Sequence, residues 1–375
     1  MNKRKKLLFL LLSSSYGGLE IHSVDFCKWM SERGWNINLL CATGSAVMSN
    51  AVEKKIKIYN IEKPKKYFDI NKVRKALKLL ETIKPDILFV SDNNDLNFAV
   101  LLKKFYNSGL KLVYILHMQI GVSKKDLYHR FIFRNIDKWV VPLQYLKLQT
   151  LQRTTIEEKK IEIIRHSSDV EKLLNTQVDK TEARKIFNLP YEGFVIGMNA
   201  RIDRQKNQHI VIETLYKIIS GSDKKIFFLM LGRPTMNEGK EYYDYIINFI
   251  REKKLDNYVV IKDYLEDISC FYKAIDALIV PTRTETYGQN TIEAVIYGVP
   301  VIGTDSGGTK EILQDVDSTL LYNPENKDDL SGKILLLQDK YDYYKEKFLK
   351  ASKYFSDLYS KERECANYEE LIEKL

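Results

Sequence analysis

The stretch PTRTETYGQNTIEAVIYGVPVIGTDSGG, Pro281 to Gly308, decides how this chain folds. Just before it, Ala277, Leu278, Ile279 and Val280 form a short apolar run, the mark of a strand buried on both faces. A loop carrying Glu285 follows, then a helix-period segment carrying Glu293. A second apolar run, Val299 to Ile302, then leads to Ser306, Gly307 and Gly308. Strand, loop, helix and strand make one unit of a parallel sheet. The first N–H groups of a helix have no partner within it, so a helix start collects anions. Gly288 lets a ligand approach that start with no Cβ in the way. The loop can hold a phosphate, and carboxylates beside it can hold hydroxyls. A molecule with both is a sugar nucleotide.

The same alternation runs outward in both directions. Strands are predicted at Lys6–Leu12, Asn36–Cys41, Ile56–Tyr59, Ile87–Ser91, Lys111–Leu116, Trp139–Val141 and Ile161–Ile164. Helices fall between them at Leu19–Glu32, Asn71–Thr82, Asn94–Tyr106 and Asp126–Phe133. The pattern restarts after a helix at Lys180–Phe187, with strands at Phe194–Met198, Lys225–Leu231, Val259–Ile261, Ala277–Val280, Val299–Ile302 and Leu320–Tyr322. Strand alternating with helix implies doubly wound parallel sheets, here in two α/β domains. They are expected at 1–175 and 180–350, divided near 170–190, and to face each other across a cleft. From Tyr341 the chain reads as charged, tyrosine-rich helix, and about 355–375 is a candidate to pack back on the first domain.

With 375 residues and 45% apolar content the chain can bury two ordinary cores. Its four cysteines are scattered with no CxxC pair, which argues against a zinc site or a disulfide framework and fits a reducing compartment. The net charge of +9 is uneven: residues 1–175 hold 31 Lys and Arg against 17 Asp and Glu, and the remainder 28 against 33. The first half is therefore +14 and the second −5, so the first could meet an anionic partner, either a membrane surface or a phosphorylated acceptor. The bland alternative is a solvated lysine-rich surface. No nucleic-acid motif is present. MNKRKKLLFLLLSSS imitates a secretory signal, but no A-x-A site follows and the run passes directly into Tyr16, Gly17 and Gly18. A buried first strand is the better reading. No stretch has the ~20 apolar residues a spanning helix needs.

In open α/β sheets ligands bind beyond the carboxyl ends of the strands, and the candidate residues all lie there. Glu285 and Glu293 could grip different parts of one ligand. Glu285-Thr-Tyr-Gly-Gln-Asn-Thr-Ile-Glu293, followed by Ala294, Gly298, Pro300, Gly307, Gly308 and Glu311, resembles the E-x7-E signature of the family 4 glycosyltransferases. The resemblance implies a retaining, metal-independent enzyme of GT-B fold, with two facing Rossmann-like domains. It implies that Glu293 binds the nucleotide ribose and that Glu285 lies against the transferred sugar. The segment Tyr287, Gly288, Gln289, Asn290 and Thr291 would contact sugar and diphosphate.

Asn199-Ala-Arg201-Ile-Asp-Arg204-Gln-Lys206-Asn207 follows a strand, and Arg201 and Lys206 could neutralise a diphosphate. The segment resembles the family's G-R-x-x-x-x-K-G loop, with Ala200 and Asn207 in place of its glycines. Gly17 and Gly18 stand where the family has a loop that closes over donor phosphate or acceptor. His117 ends a strong strand, and the resemblance sets it near the reacting centre. Gly232 and Tyr264 would frame the base. The segment Arg165-His166-Ser167-Ser168-Asp169 departs from the family's Asn-Gly and is read as an acceptor or hinge region. Asp92-Asn93-Asn94-Asp95 could be mistaken for a metal-binding DxD and reads better as a helix N-cap run.

Together these readings predict transfer of a hexosyl group, with retention, from a nucleotide diphosphate sugar (UDP- ahead of GDP-) to a hydroxyl of a glycan or lipid-linked acceptor. Catalysis would rest on His117, Glu285, Arg201 and Lys206. The nucleotide sugar is co-substrate, no cofactor or essential metal is expected, and no nucleic acid partner. The setting would be bacterial surface polysaccharide synthesis in the cytoplasm, at or near the inner membrane face. The rival readings are a sugar-nucleotide epimerase on the same fold and a non-catalytic accessory subunit.

Overall fold

A computed structural model describes residues 4–65, 69–106, 109–168, 170–174, 178–235, 239–265 and 267–375. Asp169 of the expected hinge segment lies outside them. The chain divides into two compact units, residues 1–166 with 361–375, and 167–360. The division thus falls a few residues before the 170–190 expected, and the second unit runs past 350 to Ser360.

The first unit holds seven strands: β1 (Lys6–Leu11), β2 (Asn36–Ala42), β3 (Ile58–Ile61), β4 (Ile87–Val90), β5 (Lys111–Ile115), β6 (Lys138–Val141) and β7 (Ile161–Ile163). They pair in the order β3-β2-β1-β4-β5-β6-β7, every pair parallel. The apolar run at the N-terminus is β1, in mid-sheet, with Leu7 to Leu12 inaccessible to solvent. Burial on both faces is why it reads as a continuous apolar stretch rather than an alternating one. Two helices that sequence reading missed complete the connections, Ala46–Glu53 and Gln144–Arg153. The first is short and starts on the hydroxyl of Ser45, which accepts from Met48 N at 3.2 Å. The second buries little apolar surface beyond Leu146, so its period is faint. The helix Lys361–Glu373 belongs to this unit: Tyr368 is buried against Phe26, ring centroids 4.6 Å apart.

The second unit holds six strands: β8 (Phe194–Asn199), β9 (Ile226–Leu231), β10 (Val259–Lys262), β11 (Ala277–Val280), β12 (Val301–Thr304) and β13 (Leu321–Tyr322). Their order is β10-β9-β8-β11-β12-β13, again all parallel. One core of aliphatic and aromatic side chains, among them Phe228, Phe271, Tyr242 and Phe348, packs between sheet and helices. β12 starts two residues later than its apolar pattern implied. The helix Gln289–Ile296 closes through Gly298 N–H to Val295 O (2.9 Å) and Val299 N–H to Ala294 O (2.8 Å), so Val299 still belongs to the helix end.

Strand order reverses between β1 and β4 in the first sheet, and between β8 and β11 in the second. The loops leaving the carboxyl ends of strands at such a point splay apart and leave a crevice, the usual ligand position of open α/β sheets.

Candidate functional site

In the second unit a cavity opens at that crevice. It is lined by the end of β8 (Met198 to Ala200), by Lys206, by β11 and its loop (Leu278 to Thr282, Glu285) and by Gly288 to Thr291. Two loops build it, and each is held from outside. Asn207 ends the first in the left-handed conformation (φ 58°, ψ 33°) and opens the helix Gln208–Ser220. Asparagine is among the few residues that visit this region readily, so it stands in for a glycine there. Its Nδ2 also donates to Pro281 O at 2.9 Å, tying the first loop to the second. Gln208 Nε2 donates to Arg201 O at 2.7 Å, and Asp203 accepts from Gln205 N–H at 3.0 Å.

The second loop rests on the start of the helix Gly307–Gln314. Gly308 N–H donates to Glu285 O at 2.8 Å, and Thr304 Oγ1 to Thr282 O at 2.8 Å. Gly307 lies so close beneath that a Cβ there would stand 2.4 Å from Glu285 O. The Ser306-Gly307-Gly308 signal is thus a seat for the Glu285 backbone.

Lys206 Nζ and Glu285 Oε2 pair at 3.0 Å on the cavity wall, each side chain about a quarter exposed. Beside them Gly288 (φ 89°) opens the helix Gln289–Ile296 and has no side chain to cap its amides. That backbone is open to glycine alone without strain. Thr291, fully buried on the cavity wall, has an Oγ1 with no hydrogen-bond partner. Such a group marks a place where a ligand or water is due. Arg201 is exposed in the same loop as Lys206, and among the described residues its guanidinium makes no ion pair. The assembly of one lysine, one carboxylate, an uncapped helix start and an unsatisfied hydroxyl favours an anionic, hydroxyl-bearing ligand.

Glu293 lies deeper, off the cavity wall. Burial pushes its carboxyl up, and hydrogen bonds from Gln289 Nε2 (3.0 Å) and Tyr272 OH (2.8 Å) oppose that. Gln289, on the wall, also reaches Ser168 Oγ at 2.8 Å, so it links cavity and Glu293. Asn290 donates through Nδ2 to Asn199 O and locks the helix start to β8. Tyr287 packs near Tyr359, ring centroids 6.4 Å apart. Gly232 proves to be a close-packing residue: a Cβ there would fall 2.0 Å from Ala200 O. Tyr264, 61% exposed, is not among the cavity residues.

Gly17, Gly18 and His117 belong to the first unit. Gly17 N–H is already taken by Glu20 Oε2 (2.9 Å), and Oε1 of the same carboxylate accepts from Ser13 Oγ (2.6 Å). Nothing lies within 4 Å of a Cβ built on Gly18, so the space before the helix Gly18–Glu32 is open. His117 follows β5, next to the strand at the reversal. Burial, then the neighbouring His166 and His22 imidazoles, hold it well below the usual histidine range, so it is neutral at pH 7. Asp92 accepts from Asn94 N–H at 2.9 Å and Asp95 from Leu12 N–H at 2.6 Å, so this run organises a loop. Sequence reading missed Tyr272 and Asn199 as supports of Glu293 and Asn290. It also missed His22 and Glu364 beside His117; they come from distant helices, and no local spacing joins them.

Two doubly wound parallel sheets, each reversing its strand order at one point, are the architecture called GT-B. Residues 179–353 match the model of glycosyl transferases group 1, and residues 16–172 that of glycosyltransferase family 4. The two models together span most of the chain, which thus belongs to the glycosyltransferases that both describe. It is similar to the O-antigen biosynthesis glycosyltransferase WclY of Escherichia coli, 24% identical over 315 residues, 81% of this chain and 83% of the relative. Two solved structures share its fold at 18% identity. Anabaena Alr3699/HepE in complex with UDP superimposes with a TM-score of 0.86, covering 99% of this chain and 100% of that one. A glycosyltransferase from Rickettsia africae ESF-5 gives 0.87, covering 99% and 98%.

Proposed function

We propose that this chain is a retaining, metal-independent hexosyltransferase that takes a UDP-sugar as donor and a glycan or lipid-linked hydroxyl as acceptor in surface polysaccharide assembly. The observation that carries this reading is the Lys206–Glu285 pair on the wall of a cavity whose floor is an uncapped helix start. A diphosphate at the amides of Gln289 to Thr291 would displace Lys206 from Glu285 and recruit Arg201. Glu285, released, would accept hydroxyls of the sugar, and Glu293, held by Tyr272 and Gln289, those of the ribose. Two cations and helix amides are enough to stabilise a departing diphosphate without a metal ion. Front-face attack fits, with the leaving phosphate taking the acceptor proton while neutral His117 contacts the sugar. The UDP bound by the HepE protein and the O-antigen role of WclY support the donor and the pathway.

Thermal-shift screening of UDP- and GDP-sugars, followed by UDP release in the presence of chelator, tests the proposal. Arg201→Ala and Lys206→Ala should each lose on the order of 100-fold or more in UDP release. Parental rates in both would remove the phosphate assignment, and a rate abolished by chelator would remove the metal independence. The +14 first half leads us to place the enzyme in the cytoplasm, at the inner membrane face. No helix among the described residues is long and apolar enough to cross a membrane. Flotation with anionic liposomes at low and high salt tests that placement, and no flotation at low salt would remove it.

A further inference from the structure

The first unit contains a cluster of which the transfer reaction calls for one member only, His117. His22 on the helix Gly18–Glu32, His117 after β5 and His166 after β7 gather their rings in one place, with one nitrogen from each lying within 4.8 Å of the others. His117 and His166 stack at 4.3 Å with only 9° between planes, and His22 packs on both, at 5.4 and 4.5 Å. The chain has five histidines in all, so three of them meet here. Beneath them sits Glu364, 1% exposed, whose Oε1 is 3.0 Å from His22 Nε2 and 3.6 Å from His166 Nδ1. His117 Nε2 is buried and has no hydrogen-bond partner.

We propose that His22, His117 and His166 form a binding site for a divalent transition metal of the zinc or cobalt type, with Glu364 as the buried carboxylate that orients two of the imidazoles. Three imidazoles suit zinc, copper, nickel and cobalt and disfavour magnesium and calcium, which take oxygen ligands. Zinc bound by histidine has Zn–N distances of about 2.0–2.1 Å in a tetrahedron, which sets its ligand nitrogens roughly 3.4 Å apart. The nitrogens must therefore close by up to about 1.4 Å, and the stacked His117 and His166 rings must turn out of parallel so that their lone pairs converge. A carboxylate hydrogen-bonded to a ligating histidine is the usual outer partner of such sites; it fixes the ring and adds a negative charge. Three ligands leave a fourth position for water or an added group. The site is distinct from the diphosphate cavity of the second unit, and the proposal stands whether or not the donor assignment does. Where that assignment holds, a bound metal withdraws His117 from the sugar, so metal would oppose transfer.

Titration of the full-length chain with cobalt(II), followed by its visible ligand-field absorption and by calorimetry, tests the proposal. One cobalt per chain should bind with the intense spectrum of a four-coordinate site, and zinc should displace it. His22→Ala and His166→Ala should each abolish the spectrum, and Glu364→Gln should weaken affinity by about 10–100-fold. His129→Ala and His209→Ala should leave it unchanged. Where a variant fails to fold, X-ray absorption of the metal-loaded parent replaces it and should show three imidazoles. Absence of stoichiometric binding, a spectrum that survives loss of His22 or His166, or fewer than three imidazoles overturns the proposal.

Discussion

The substitution Gly307→Ala tests the idea that Glu285 is positioned from beneath by a helix start. A Cβ on residue 307 would lie 2.4 Å from Glu285 O and 3.0 Å from Glu285 N, whereas ordinary contact begins near 3.4 Å. Both atoms are backbone, so no side-chain rotation relieves the overlap. The Glu285 loop must rise by about 1 Å, and Gly308 N–H would lose its 2.8 Å bond to Glu285 O. Residue 307 also has φ 59°, where alanine costs roughly 1–2 kcal/mol. For a unit of this size that lowers the melting temperature by about 2–8 °C. A misplacement of about 1 Å at a reacting group costs on the order of 100-fold in rate. UDP release from the most stabilising UDP-sugar and a melting scan give the two readouts. Gly332→Ala is the control: it sits within the helix Lys327–Asp339 with nothing within 4 Å of its Cβ, and should gain up to about 1 kcal/mol with no change in rate. A Gly307→Ala enzyme that melts and turns over like the parent would refute the seat. One that melts early but keeps its rate would separate Glu285 from the chemistry.

Asn207→Gly should cost about 1 kcal/mol, the bond to Pro281 O, while Asn207→Ala should cost about 2 kcal/mol or more, since alanine also resists the left-handed backbone. Equal melting of parent and alanine variant would contradict this. Burial pushes Asp95 up to about 7 from 3.8, so between those values the folded chain retains a proton that the unfolded chain has released. Stability from this group is full below about pH 4 and is lost as pH rises through about 7. Asp95→Asn keeps an acceptor for Leu12 N–H without the charge. It should match the parent in urea unfolding near pH 4 and exceed it near pH 8, by at most about 4 kcal/mol; a gain that is the same at both pH values would count against the buried charge. Lys206→Met should leave Glu285 without its cation and weaken UDP binding by calorimetry by roughly tenfold or more; unchanged affinity would show that Lys206 faces no phosphate.

Both parallel sheets were legible because strands buried on two faces are written as bare apolar runs, β1 and β11 most plainly. Register and helix ends were less so: Val299 looks like strand and is spent closing a helix, because Gly298 N–H and Val299 N–H turn back onto Val295 and Ala294. The cavity residues could be read from Gly288, Glu285 and Lys206, since helix starts, turns and charges act locally. Gly232 illustrates the limit. Its need for space is set by the Ala200 carbonyl, which sits on another strand end and leaves no trace near residue 232. Glu364 and His22, 342 positions apart, were invisible for the same reason.

The first unit is not a continuous stretch of chain. Tyr368, with no exposed surface, fills a gap against Phe26 and Phe89, and Leu371 and Ile372 are buried with it. A ribosome that has delivered residues 1–166 has therefore made a sheet with a hole in it, and the plug emerges only after the whole of residues 167–360. Removing residues 361–375 would leave residues 1–166 to carry the damage, so any truncation or insertion that disturbs this helix acts on a unit hundreds of positions earlier in the chain.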